Sequence, residues 1–129
     1  METKNLWPDF PVEVTKSPRA ILKEQAGYLM AKTNNVLSAD VETVQGNGQI
    51  IHQFFVVAPA LNNYRYRIFT VSHEVLFYPL VVTWNEVQGG LSEIKIENQQ
   101  EFLSILSQIF KDTSTTRVIS SLLSQSLAE

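Results

Sequence analysis

The chain has 129 residues, of which 44% are hydrophobic and 18% charged; its formal net charge is −3 at pH 7, and it contains no cysteine. These values are typical of one globular domain, and the lack of cysteine excludes disulfides, thiolate catalysis and cysteine-ligated zinc. The sequence shows no apolar segment typical of a signal peptide and no apolar run of ~20 residues that would span a membrane. We therefore expect a soluble, cytoplasmic protein without membrane contact.

An N-terminal arm is predicted for residues 1–16. Pro8 and Pro11 are interleaved with the aromatic residues Trp7 and Phe10, and proline is unsuited to helix interiors and central strands. We expect the two aromatic side chains to pack onto the domain. The alternative is an exposed arm that docks onto a partner, because aromatic residues often anchor protein interfaces.

A first helix is predicted for residues 18–32. Ser17 can cap the free N–H groups at the start of this helix, and Pro18 loses no hydrogen bond at the first helical position. Apolar side chains recur along one stripe of the segment, as in an amphipathic helix. Asn34 and Asn35 tolerate the left-handed conformation that commonly ends a helix.

Segments in the middle of the chain have the composition of β-strands, because they are rich in β-branched and aromatic residues. The first alternates and has one polar face, whereas the second is apolar on both faces. The second strand must therefore be central in a sheet, or one of its faces must meet another element or another subunit. The predicted strands are residues 36–44, 49–57, 64–71 and 75–84, with a short fifth strand at 91–97.

Turn and break residues separate these strands. Residues 45–48 contain the Asn-Gly pair typical of a hairpin, and residues 85–90 are predicted to form a loop. Pro79 lies inside the fourth predicted strand and cannot donate to a ladder, so we expect this strand at a sheet edge or beside a bulge. A tight turn is predicted at residues 72–74, where His73 would be exposed to solvent.

The third strand contains the most suggestive short stretch, Tyr-Arg-Tyr-Arg at residues 64–67. Strict alternation places one set of side chains on each face: Tyr64, Tyr66 and Ile68 on the first, and Arg65, Arg67, Phe69 and Val71 on the second. Tyrosine and arginine are enriched at interface hot spots and can also stack on bases. In a plainer interpretation, the tyrosines pack in the core and the arginines face water, paired with Asp40 or Glu42.

Two helices are predicted after the strands. Asn98, with Glu101 three residues later, has the spacing of a capping box, and apolar residues recur at helical spacing over residues 99–111. Residues 112–114 break that helix and start a last one, whose polar face of serine and glutamine we expect to be solvated. Strands in one block with helices at both ends predict a single α+β domain over residues 1–129. We expect an antiparallel meander of four or five strands, with one N-terminal and two C-terminal helices packed mainly on one face.

Few residues have a pattern that indicates chemistry. His52 and His73 are the only histidines, and a metal site needs several converging ligands, so no metal site is predicted. His52 alternates with apolar residues and is expected to be a hydrogen-bonded histidine within the sheet. The sequence contains neither a nucleophile elbow nor a phosphate-binding glycine pattern. No catalytic residue and no cofactor is therefore predicted, and an enzyme is the less favoured class.

The leading hypothesis is a small accessory protein that acts through contacts with a protein partner or with a second copy of itself. Its basis is an excess of large apolar residues over what one sheet face needs. The alternative is a small-molecule-binding protein or minor enzyme with a pocket between sheet and helices, lined by His52, Tyr66, Tyr78 and Trp84. A third hypothesis, binding of single-stranded nucleic acid by residues 64–67, is disfavoured by the net negative charge.

No motif in the sequence identifies a family. The size, acidity and lack of cysteine are similar to those of secretion chaperones and toxin-neutralising partners. This is a similarity of size and composition, and such a similarity does not determine a function.

Overall fold

The computed structural model of the protein describes residues 3–86 and 90–128. The elements in chain order are α1 (Pro18–Lys32), β1 (Ser38–Gly46), β2 (Gln49–Ala58), a 3₁₀ turn (Pro59–Leu61), β3 (Tyr64–His73), β4 (Leu80–Glu86), β5 (Gly90–Ile96), α2 (Gln99–Lys111) and α3 (Thr113–Leu127). The strands form one five-stranded sheet in the order β1-β2-β3-β4-β5, and each neighbouring pair is antiparallel. The predicted α+β meander is confirmed, with five strands.

Each helix begins at a side chain that caps its free N–H groups. Ser17 Oγ accepts a hydrogen bond from the N–H of Ala20 at 3.1 Å, and Asn98 Oδ1 accepts one from the N–H of Glu101 at 2.9 Å. Asp112 begins α3 in the same way. The predicted bounds of α1 and α2 are confirmed, because these local signals do not depend on distant contacts. None of the helices in the described ranges is both long enough and apolar enough to cross a membrane.

One face of the sheet is covered by the helices and forms the core. Phe54 of β2 and Phe69 of β3 are opposite each other in the ladder, and their rings stack with centroids 5.1 Å apart. The ring of Phe110 in α2 lies 5.7 Å from Phe54 and 6.0 Å from Phe69. Burial of such a side chain contributes about 2–3 kcal/mol, so this aromatic cluster holds α2 against the middle of the sheet.

A bulge in β3 changes which residues share a face. Phe54 pairs with Phe69, but the next residue, Phe55, pairs with Arg67, which leaves Ile68 without a partner on β2. Beyond such an extra residue the alternation of side chains moves by one position. The strict alternation predicted for this strand is therefore wrong: Ile68 and Phe69 are both buried. Strict alternation placed the two tyrosines and Phe69 on opposite faces of β3, whereas the bulge brings them to the same face.

The start of β4 also differs from the prediction. β4 begins at Leu80, so Pro79 precedes the strand and removes no hydrogen bond from the ladder. β4 lies between β3 and β5, and its described pairings show no register shift, so both alternatives of the prediction, an edge strand and a bulge beside Pro79, are wrong. The predicted Asn-Gly hairpin turn is confirmed, because Asn47 and Gly48 both have positive φ, at 53° and 75°. Of the loop predicted at residues 85–90, residues 87–89 lie outside the described residues.

The N-terminal arm is exposed. The side chains of Trp7 and Phe10 are 74% and 68% exposed, and their rings contact each other with centroids 5.9 Å apart. The expectation that they pack onto the domain is wrong, because neither ring belongs to the hydrophobic core or packs against it. The arm therefore presents its aromatic residues to solvent.

Candidate functional site

The face of the sheet opposite the helices is called here the open face, and among its described residues only Val57 is a buried hydrophobic side chain, which lies outside the main core cluster. The open face consists of Asp40, Glu42, Val44, Ile51, Gln53, Phe55, Val57, Arg65, Arg67, Thr70, Ser72, Val81, Thr83, Glu93 and Lys95. Except for Val57, these residues are half-buried or exposed, whereas their neighbours on the other face are mostly buried. The open face is therefore accessible to another molecule.

Apolar side chains run along β2 on the open face. Ile51, Phe55 and Val57 project from this strand, and Val81 projects from β4. The prediction that β2 is apolar on both faces and central is confirmed, because it lies between β1 and β3. Its core face meets the helices, while none of the described helices packs against its second apolar face. Half-buried apolar groups surrounded by polar ones are typical of surfaces that bind a partner.

Arg65 is held over the apolar strip by several contacts. Its guanidinium carbon lies 4.0 Å from the centroid of the Phe55 ring, a cation–π distance that contributes about 0.5–1 kcal/mol at an exposed site. Its Nη2 atom lies 3.1 Å from Oε2 of Glu42 and 3.8 Å from Oδ2 of Asp40. The predicted pairing of an arginine with Asp40 or Glu42 is confirmed, and the charge of Arg65 is offset within the chain.

Arg67 has a different environment on the same face. Its Nη1 atom lies 3.5 Å from Oε1 of Gln53, which is long for a hydrogen bond. Within residues 3–86 and 90–128, no carboxylate forms a salt bridge with Arg67. The open face thus carries one arginine whose charge is offset and one that is accessible to an external anion.

The two tyrosines of the Tyr-Arg-Tyr-Arg stretch lie on the other side of the sheet. Tyr64 and Tyr66 line an open cleft of about 830 Å³ between the start of β3, the 3₁₀ turn and α3. The opposite wall comes from α3 and includes Arg117. The two tyrosines and the arginines at 65 and 67 therefore cannot contact one ligand on a single surface.

The four residues predicted to line a pocket between sheet and helices do not line one pocket together. His52 and Trp84 are buried, with 3% exposure each, Tyr66 lines the cleft beside α3, and Tyr78 lines a separate pocket of about 330 Å³ beneath residues 74–79. The structure does not bring these four side chains together, because the aromatic cluster around Phe54 fills the space between the sheet and α2.

The site that the sequence did not reveal is a buried pair of histidines. His73 is the last residue of β3 and is 5% exposed, so its prediction as an exposed turn residue is wrong. Its Nε2 atom lies 3.0 Å from Nε2 of His52. His52 is opposite Val71, two residues before His73, and such diagonal neighbours share a face. An extension of the predicted third strand by two residues would have indicated the contact.

Hydrogen bonds determine the tautomers of this pair. The backbone carbonyl of Glu74 only accepts, so Nδ1 of His73 donates to it. In neutral His73, Nε2 is then the acceptor and Nε2–H of His52 is the donor. Nδ1 of His52 in turn accepts from the Thr43 hydroxyl at 2.9 Å. All the ring nitrogens are engaged, so the prediction of a hydrogen-bonded sheet histidine at position 52 is confirmed.

The pair is a structural link and not an acid or base available to a substrate. Burial lowers the pKa of His52 to about 4, and electrostatic repulsion between protonated His52 and its neighbours His73 and Arg19 contributes in the same direction. His52 is therefore neutral near pH 7. In the part of the chain that the structure describes, no group of three His, Asp or Glu side chains is placed to hold a metal ion.

Comparison of the chain with protein-family models, with curated proteins and with solved structures finds no match. No relative therefore supplies a function, a ligand or a partner. The function has to be inferred from the geometry of the open face, the histidine pair and the cleft.

Proposed function

We propose that this chain is a cytoplasmic accessory protein that binds another protein through the open face of its sheet. The observation that carries the proposal is the placement of Phe55 beneath Arg65 on a sheet face that none of the described helices covers. Phenylalanine and arginine are both enriched in protein interfaces relative to the rest of the surface. The lack of cysteine supports the cytoplasmic location.

The size of the open face suits a protein partner. The strands are 7–10 residues long, with a spacing of about 4.8 Å between strands and a rise of about 3.3 Å per residue. The face of the five-stranded sheet therefore covers about 600–700 Å². A standard protein interface buries about 800 Å² on each partner, so a partner that covers this face and its rim reaches that size.

The charges of the open face indicate the chemistry of the partner. Its centre is apolar along β2, which favours an apolar surface opposite Ile51 and Phe55. Arg65 is already neutralised by Glu42, whereas Arg67 has no such carboxylate among the described residues. The best-matched partner therefore presents an apolar patch with an acidic side chain at its edge, opposite Arg67.

A second copy of the chain is one form of this partner. A two-fold symmetric dimer brings the same patch of both copies together, and the exposed Asp40 supplies an acidic group on the same face as Arg67. The homodimer that the sequence suggested is thus compatible with the charges of the open face, and the experiment below separates it from a different partner.

The test compares Arg67→Glu with Lys23→Glu, a matched reversal of an exposed positive charge on α1, away from the open face. Each protein carries a C-terminal tag, is isolated gently from its own cells, and is examined by mass spectrometry and by light scattering after size exclusion. We expect a stoichiometric partner, or a dimer, with the wild type and with Lys23→Glu, and its loss with Arg67→Glu.

Two results contradict the proposal. One is a partner or dimer that Arg67→Glu and Lys23→Glu retain equally. The other is a wild-type protein that stays monomeric at high concentration and brings no partner from its cells. Circular dichroism of both variants shows whether each keeps its fold, so that a loss of binding is not mistaken for unfolding.

A further inference from the structure

We infer that the cleft between α3 and the start of β3 binds a small organic anion with a flat apolar body, such as an aromatic carboxylate. This site is separate from the open face, because Tyr64 and Tyr66 project to the opposite side of β3 from Arg65 and Arg67. The proposal is therefore independent of the proposed protein partner.

The cleft has the shape of a ligand site. One wall is a stripe of α3 that recurs at helical spacing, in which Ser114, Arg117, Ser121 and Gln125 face the cleft. The other wall is made by Tyr64 and Tyr66. Its volume of about 830 Å³ lies within the range of about 300–1,000 Å³ that small-molecule sites occupy.

Short side chains on α3 keep the cleft open. The sequence predicted a solvated face of serine and glutamine on this helix, and Ser121 and Gln125 are exposed where they line the cleft. A serine hydroxyl fills little space and can donate or accept a hydrogen bond. Lysine or glutamate at these positions of the helix would fill the space beside Tyr64. The shorter polar side chains leave this space open and line it with polar groups.

Charge selects the class of ligand. Arg117 is the one charged side chain among the described residues that line the cleft, and no described carboxylate forms a salt bridge with it. A guanidinium group binds a carboxylate through two parallel hydrogen bonds. The cleft therefore offers one positive group and no negative one, which favours an anion over a cation or a neutral ligand.

The tyrosines define the rest of the ligand. Tyr64 is 50% exposed, while Tyr66 is partly buried against the core. Their rings offer flat apolar surfaces beside a phenolic hydroxyl, which suits a flat ring or chain attached to the anionic group. A nucleic-acid strand does not fit this site, because a row of phosphates requires several cations along its path.

The probe is benzoate, with uncharged benzamide as its matched control. Thermal unfolding and chemical-shift mapping are measured for wild type, Arg117→Gln and Lys23→Gln. Because a ligand of the folded state alone raises its stability, we expect benzoate in excess over its Kd to raise Tm by about 3 °C or more. Benzamide should not do so. Lys23→Gln should behave as wild type, whereas Arg117→Gln should bind benzoate at least about tenfold more weakly.

Chemical-shift changes decide where the probe binds. We expect them to concentrate at Tyr64, Arg117 and Ser121. The proposal is overturned if benzoate and benzamide act alike, if the changes lie elsewhere, or if Arg117→Gln binds benzoate as tightly as Lys23→Gln. Absence of any shift or stabilisation with millimolar benzoate also overturns it. Stabilisation by inorganic phosphate but not by benzoate would contradict the flat apolar body of the ligand.

Discussion

The Nε2 atoms of His52 and His73 lie 3.0 Å apart inside the protein and share one hydrogen between them. The contact belongs to a hydrogen-bond chain that runs from the hydroxyl of Thr43 on β1 to the carbonyl of Glu74 after β3. It ties neighbouring strands together on the core face. One added proton can be accommodated on Nδ1 of His52 if the Thr43 hydroxyl turns to accept a hydrogen bond from it, but a second added proton would place two N–H groups opposite each other between the rings and break the link.

The free energy of unfolding should therefore fall as the pH decreases below neutrality. The pKa of His52 is about 4 in the folded protein and about 6.5 in an unfolded chain. Between these values the unfolded state binds more protons, so the free energy of unfolding decreases as the pH falls from about 6.5 towards 4. We expect His52 to account for a loss of about 2 kcal/mol between about pH 7 and pH 5.

Urea unfolding at the two pH values measures this effect, with His52→Gln as the comparison. Other groups also titrate in this range, so the informative quantity is the difference between the two proteins. The pH dependence of the variant should be smaller than that of the wild type by about 2 kcal/mol. An equal pH dependence in both proteins would show that His52 is not a buried neutral histidine.

Phe54 and Phe55 are adjacent in β2, but truncation to alanine should lower the free energy of unfolding much more at Phe54 than at Phe55. Phe54 is 2% exposed and stacks on Phe69, so Phe54→Ala should cost about 3–5 kcal/mol. Phe55 is half-buried on the open face, so Phe55→Ala should cost about 1 kcal/mol. Equilibrium unfolding of both variants checks this. Similar large costs would mean that the open face is covered.

Arg65 and Glu42 should be coupled weakly. Their side chains are 41% and 50% exposed, with Nη2 and Oε2 3.1 Å apart, and exposed pairs of this kind contribute about 0.2–1 kcal/mol. A double-mutant cycle with Arg65→Ala and Glu42→Gln measures the coupling, which should diminish in high salt. A coupling energy of zero at low salt would indicate that the arginine is not held over Phe55 by this pair.

The contribution of the Asn98 cap of α2 to the free energy of unfolding should be measurable by itself. Asn98 accepts a hydrogen bond from the N–H of Glu101, and loss of such a cap costs about 1 kcal/mol. Asn98→Ala should therefore lower the free energy of unfolding by about that amount, while Asn98→Asp should retain the cap. If both substitutions were equally harmful, the side-chain oxygen would not be what stabilises the start of the helix.

Local chemistry in the sequence was sufficient to predict the order of helices and strands and the starts of α1 and α2. Ser17 and Asn98 place the starts of α1 and α2 through hydrogen bonds to N–H groups three residues away. Asn47 and Gly48 form the first hairpin because they tolerate positive φ. The two apolar faces of β2 were also evident, since side-chain alternation in a strand has a period of two.

Only the tertiary structure decided which of these residues meet. The bulge at Ile68 depends on how β3 aligns with β2, and the pattern of residues within β3 alone does not predict that alignment. The contact of His52 with His73 and the cleft between Tyr64 and Arg117 likewise join residues that are distant in the chain. The physical reason is that hydrogen-bond pairing across strands and packing of helices on a sheet are set by long-range contacts, whereas caps, turns and periodicity are set by neighbours in sequence.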